Sequence, residues 1–185
     1  MKLKYKKVAI LAADGFEQSE LFAPLEALKI EGATVDIISI KEGEIKGWDK
    51  TDWGKSIKVD RNVDSAPVHD YDALVLPGGV MNPDTLRTHT VALNFIKAFF
   101  ERRKPVAAIC HAPWLLINAG VIDGRKVTSY KSIKEDVINA GGKWVDEPVV
   151  VDNGLVTSRN PDDLPAFCNK LIEEIKEGKH EKQNA

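Results

Sequence analysis

The chain has 185 residues, room for one domain with a sizeable core. Hydrophobic residues make up 43% and charged residues 29%, the balance of a globular protein, and no apolar run is long enough to span a bilayer. A net charge of −2 offers no basic surface for nucleic acid or anionic membrane as a stable partner.

The lysine-rich start, residues 1–7, lacks a convincing signal-peptide cleavage site. Residues 7–13 form a continuous apolar run, the mark of a strand covered on both faces. Asp14-Gly15 breaks it, and Leu21, Leu25, Leu28 and Ile30 give helical spacing up to Gly32. A second strand follows over 34–40, so the chain opens as βαβ and predicts a parallel sheet. Residues 41–64 are polar and glycine-punctuated and read as a small β-hairpin excursion. Trp48 and Trp53 flank its turn, either holding it or meeting another subunit. A strand over 72–76 ends in Pro77-Gly78-Gly79, and one helix is predicted over 84–103 with Leu86, Val91, Leu93, Phe95, Ile96 and Phe99 on its apolar side. The strand 105–109 leads through Cys110-His111 into a helix over 113–118. A short strand over 126–129, a helix over 132–140 and a hairpin about Asp152-Asn153-Gly154 come next. A last helix starts near Pro161-Asp162-Asp163 and runs to about 176, and the polar tail 178–185 is expected to fray. There is no linker. The expectation is a single domain over 1–185 with its core at about 6–176, an α/β doubly wound sheet.

In such sheets ligands bind outside the carboxyl ends of the strands. Three ends matter: the first leads to Glu17 and Glu20, another to Gly78-Gly79, and another presents Cys110-His111. A cysteine at a strand-to-helix turn faces helix amides that favour its thiolate, so Cys110 is the candidate nucleophile. The amide of His111, with Gly78 and Gly79, is expected to bind an oxyanion, and Glu17 is a further candidate for the substrate. Glu20, if buried and protonated, would donate a hydrogen bond to the sulfur. His111 lacks a nearby acid to orient it, and adjacent residues usually point apart. Cys168 reads as helix packing, and His69, His89 and His180 as surface residues. The two cysteines and four histidines have no ligand spacing, so free thiols, a reducing cytoplasm, and neither metal nor cofactor are expected.

Residues 108–113, Ala-Ile-Cys-His-Ala-Pro, resemble the nucleophile motif of the PfpI family, within the superfamily of class I glutamine amidotransferase-like folds. Residues 15–21, 76–79 and 156–167 resemble that family's acidic motif, glycine turn and C-terminal signature, in order. The resemblance implies a flavodoxin-like three-layer sandwich with a mostly parallel sheet that forms dimers or larger homo-oligomers. It implies Cys110 as nucleophile, His111 beside it and Glu20 as the acid on the cysteine. It further implies that Asp84 of a neighbouring subunit orients the histidine. Ala112 and Trp114 depart from the glycine and the polar residue common there; the methyl would narrow the elbow and the indole would restrict the mouth.

Members of the family are described as peptidases, as glutathione-independent glyoxalases and as protein deglycases, all of which begin with a cysteine attacking a carbonyl carbon. The tight elbow favours a small dicarbonyl such as methylglyoxal, or a glycated protein, over an extended peptide. The expectation is therefore a stress-protective glyoxalase or deglycase. The alternatives are an intracellular cysteine peptidase and a non-enzymatic redox sensor in which Cys110 oxidises.

Overall fold

The computed structural model describes residues 1–183. Its elements in chain order are β1 (Lys7–Leu11), β2 (Phe16–Glu17), α1 (Gln18–Ile30), β3 (Thr34–Ser39), β4 (Glu44–Asp49), β5 (Asp52–Lys58) and β6 (Arg61–Asn62). They continue with β7 (Ala73–Leu76), α2 (Met81–Leu86), α3 (Thr90–Glu101), β8 (Val106–Ile109), α4 (Pro113–Asn118), β9 (Lys126–Val127) and α5 (Lys134–Asn139). The last are β10 (Lys143–Trp144), β11 (Val149–Asp152), β12 (Leu155–Ser158) and α6 (Leu164–Glu177). The main sheet has the order β11-β12-β8-β7-β1-β3-β6. Every pair in it is parallel except the β11–β12 hairpin.

The apolar runs become strands because both faces of this sheet are covered. Val8, Ile10, Ala73, Val75, Ala107, Ile109 and Val156 pack on α1 and α6 through Leu21, Leu25, Leu28, Phe167 and Leu171. The alternate residues, Ala9, Leu11, Leu74, Leu76, Val106, Ala108 and Leu155, pack on α3 and α4 through Phe95, Ile96, Phe99, Leu115 and Leu116. This is the three-layer sandwich expected, the strand period of two dividing one apolar run between two cores. The parallel register sets Val75 beside Ile10 and Leu76 beside Ala108, so the carboxyl ends of β1, β7 and β8 adjoin.

The excursion is real: β4 and β5 pair antiparallel with Trp48 opposite Trp53, their rings edge-to-face at 5.4 Å. Other expectations are corrected. Ile30 does not join the α1 stripe but is 77% exposed, because it lies nine residues past Leu21, about half a turn round the helix. The helix expected over 84–103 is two, α2 and α3, broken where His89 caps α3 by accepting the Ala92 N–H at Nδ1 (3.3 Å). Val91 is 40% exposed rather than on the apolar side. The tail does not leave the body at Gly178: the His180 N–H donates to the Arg103 carbonyl at 3.0 Å, and Gln183 is buried. Residues 184–185 of that expected tail lie outside the described residues. Among the described residues no helix is long and apolar enough to cross a membrane.

Candidate active site

The turn from β8 into α4 forces Cys110 to φ +65°, the left-handed region that side chains with a Cβ rarely adopt. Its backbone is fixed on both sides. The Cys110 N–H donates to the Ser158 carbonyl of β12 (3.0 Å), and its carbonyl accepts from the Tyr130 N–H (2.8 Å). Pro113 then opens α4, where a missing N–H costs nothing. The result is a sharp elbow that lifts the thiol off the end of the sheet.

Opposite the elbow lies the turn after β7. A Cβ on Gly78 would come within 2.5 Å of Glu20 Oε2, 2.6 Å of the Ile109 carbonyl and 2.8 Å of Cys110 Cβ, so only glycine fits. Asn82, fully buried, ties this turn to β1: its Oδ1 accepts from the Ala13 N–H (2.7 Å), and its Nδ2 donates to the carbonyls of Pro77 (2.9 Å) and Gly78 (3.0 Å). The two glycines divide the work differently than expected. The Gly78 N–H donates to Glu20 Oε2 at 2.8 Å and is therefore engaged. The amides of Gly79 and His111 are the two that point to the Cys110 sulfur. Gly79 and His111 therefore turn amides to the sulfur, whereas Gly78 holds the acid, with a further pull from the Gly79 amide.

Glu17 and Glu20 also separate. Glu17 caps α1, its carboxylate accepting the Glu20 N–H at 2.9 Å and the Ser19 hydroxyl. Its carboxylate is engaged as a helix cap, and its charge raises the pKa of its neighbour. Glu20, one turn on, points inward and is fully buried against the Cys110 thiol. Burial, then the Glu17 charge, push its pKa up to about 8, against the pull of the Gly78 amide. It is mostly protonated at neutral pH, and its Oε1 has no hydrogen-bond partner.

Cys110 is 6% exposed. Burial, then the Glu20 charge, push its thiol up, while the Gly79 and His111 amides pull it down. The expectation that helix amides alone leave a thiolate is therefore corrected: in the resting elbow, loss of water outweighs them. With both groups raised, carboxyl and thiol are protonated together near neutral pH and the pair is uncharged at rest.

His111 does turn toward its neighbour, because the elbow is not a regular element: Nδ1 lies 3.1 Å from Cys110 Sγ. Its Nε2 meets the Ser132 hydroxyl at 3.2 Å. Tyr130 stacks on the ring (4.8 Å, 24°) and Trp114 meets it edge-on (5.1 Å). Burial alone pushes its pKa down, so it is neutral at pH 7 and can accept a proton. No carboxylate of the described residues pairs with it. Asp84 stands exposed on α2, and the ring nitrogens of His111 meet Cys110 and Ser132 instead. Ala112 does not narrow the pocket, since its methyl is buried in the core beneath α4. Trp114 does border the site, held by Asp136 (Nε1–H to Oδ2, 2.8 Å) and by Arg87 over its ring. Sequence reasoning missed Ser132, Tyr130 and Asn82. The first two lie in a loop with no pattern of its own, and Asn82-Pro83 was visible only as a turn.

A doubly wound sheet with a cysteine elbow, a buried carboxyl and a glycine turn defines a cysteine-nucleophile protein of the α/β class. The chain belongs to the DJ-1/PfpI family, whose model matches residues 6–174. It is 46% identical over 166 residues to a deglycase of Thermococcus kodakarensis, covering 90% of this chain and 97% of that one. It is 45% identical to protein/nucleic acid deglycase 2 of Escherichia coli, covering 90% and 96%. It is 41% identical to YraA of Bacillus subtilis, provisionally named a cysteine protease, covering 92% and 99%. Among solved structures, Drosophila melanogaster DJ-1beta superposes with a TM-score of 0.81 at 28% identity, covering 93% of this chain and 95% of that one. A two-domain protein of Anabaena variabilis with DJ-1/ThiJ/PfpI-like and ferritin-like domains gives 0.87 at 35% identity; the match covers 92% of this chain and 48% of that one, about half its length.

Proposed function

We propose that the chain is a cysteine-dependent enzyme that attacks carbonyl carbons, of the deglycase and glutathione-independent glyoxalase type. The observation that carries this reading is the Cys110 elbow, with the Gly79 and His111 amides and one buried, protonated carboxyl around a single sulfur. With a dicarbonyl, Sγ bonds to the aldehyde carbon and the carbonyl electron pair moves to oxygen, where the Gly79 and His111 amides receive it. The thiol proton passes to His111 Nδ1 at 3.1 Å and then to that oxygen, giving a hemithioacetal. Transfer of the hydrogen from the former aldehyde carbon to the adjacent carbonyl carbon then leaves a thioester. Glu20, titrating near neutrality, is placed to relay that proton. Water cleaves the thioester, freeing the thiol and a 2-hydroxy acid, so that one dicarbonyl and one water yield one hydroxy acid with no external oxidant.

The nearly closed thiol supports a small or flexible carbonyl over an extended peptide, since Cys110 is only 6% exposed. Tyr130, stacked on His111, also lines a cleft of about 320 Å³ with Lys131, Trp144, Arg159 and Asn160, which we assign to the remainder of a glycated side chain. The names of the relatives support the deglycase type, and that of the Escherichia coli relative extends its targets to nucleic acid. For this chain we keep glycated protein or a free dicarbonyl as substrate, in the cytoplasm, with glycated nucleic acid as a measured competitor. Asp84, exposed on α2, is assigned to the His111 of a second copy, with a homo-oligomer as the working assembly. Cys110→Ala is expected to abolish methylglyoxal consumption and repair of glycated lysine, read by product hydroxy acid and by intact protein mass. Unchanged turnover overturns the reading. Peptide cleavage without dicarbonyl turnover favours the peptidase alternative, and stable addition of two oxygens at Cys110 without any turnover favours the sensor.

A further inference from the structure

At the opposite edge of the sheet from Cys110, the end of α6 and the segment after it gather Glu174, Glu177 and His180, whose ligand atoms lie within 4.8 Å of one another. Glu174 is 6% exposed and belongs to the buried side of α6, an unusual place for a carboxylate. Among the described residues no lysine or arginine pairs with it or with Glu177; the nearby Lys170 is engaged by Glu173 at 2.7 Å. Exposed acids alone would carry nothing, but this cluster has a second feature. Glu174 Oε2 and His180 Nε2 are both buried and both lack a hydrogen bond, although they stand 3.0 Å apart. The two atoms thus meet as an ion pair when His180 is protonated, but no hydrogen bond satisfies either of them. Beside them Gln183 is 1% exposed with both amide atoms unpartnered, and it packs with His180 over Gly154.

Buried ligand atoms gathered within 4.8 Å and left without hydrogen bonds fit a cation. With metal–ligand distances of about 2.1 Å, a 3.0 Å separation subtends about 90° at the ion, within the range that divalent transition metals accept. One imidazole and two carboxylates suit zinc-class ions better than calcium or magnesium, which prefer oxygen alone. We propose that Glu174, Glu177 and His180 bind a divalent transition-metal ion, which fastens the segment 178–183 to α6. The site is separate from the catalytic elbow. It lies at the Gly154 end of β12, whereas Cys110 is bonded to Ser158 at the other end. The spacing Glu-x-x-Glu-x-x-His was not among the ligand patterns that the sequence suggested. It becomes a site only because the chain turns back at Gly178, at φ +90°.

The test is calorimetric titration of the full chain with Zn2+, in the Cys110→Ser background so that the active-site thiolate does not contribute. One ion per chain is expected. Glu177→Gln, at an exposed position that leaves the fold intact, and His180→Ala should each weaken binding at least about tenfold. Saturating Zn2+ should also slow hydrogen exchange of the amides in 178–183. Absence of saturable binding, binding that both variants leave unchanged, or exchange in 178–183 indifferent to Zn2+ overturns the proposal.

Discussion

Glu20 sets both the charge of the site and a cost to the fold. Its folded pKa of about 8 lies above the 4.5 of a free carboxyl. Between those values the folded chain holds a proton that the unfolded chain has released, so stability falls as pH rises through the window. The loss reaches up to about 5 kcal/mol above pH 8, at about 1.4 kcal/mol per unit. Glu20→Gln, a neutral isostere, should remove that slope. Its melting temperature relative to the native chain should be higher at pH 9 than at pH 5, while turnover drops sharply. An equal difference at both pH values would contradict the assignment. The sequence singled out Glu20 as the acid on the cysteine, and helix geometry adds that Glu17 is the cap. Cys110 and His111 were legible because strand, elbow and Pro113 are contiguous. Ser132 was not, since its contact with His111 spans 21 residues and depends on where a loop comes to rest.

Among the elements, those with their own hydrophobic signal were legible and those defined by a partner were not. The long buried strands and α1, α3 and α6 carry apolar runs or stripes. The two-residue strands β2, β6 and β10 exist only because a neighbour supplies their hydrogen bonds, whereas β9 falls within the strand expected over 126–129. The break between α2 and α3 was hidden because histidine is a poor cap by preference, and here its ring serves in place of a hydroxyl or carboxylate. The β4–β5 hairpin stands largely clear of the main core, so the cross-strand pair Trp48–Trp53 carries a disproportionate share of its order. A double-mutant cycle over Trp48→Ala and Trp53→Ala should return a coupling of about 0.5–1.5 kcal/mol in chemical unfolding. A value near zero would show that the rings merely share a turn.

For the whole molecule, the fold of one chain supplies every group around Cys110 except an acid for His111, and the residue expected to provide it faces solvent. If two copies complete each other, inactive Cys110→Ala and Asp84→Ala chains mixed and reassembled should regain activity. The mixed assembly holds one intact cysteine site facing one intact aspartate. No recovery above either variant alone, with mixed oligomers verified by mass, would mean that each chain is self-sufficient. The layer architecture was legible from the alternation of apolar runs and helices; the assembly was not, because surface acids look alike until a partner selects one. The elbow has a further consequence for the life of the chain. Its oxyanion amide, acid and imidazole come from three distant stretches, and the Gly78–Glu20 bond alone bridges 58 residues. A newly made or unfolded chain therefore carries only an ordinary cysteine, with a pKa of about 8.5. Folding exchanges that exposed thiol for one that burial holds protonated at rest, among the amides, acid and imidazole that one chain can gather only once it is folded.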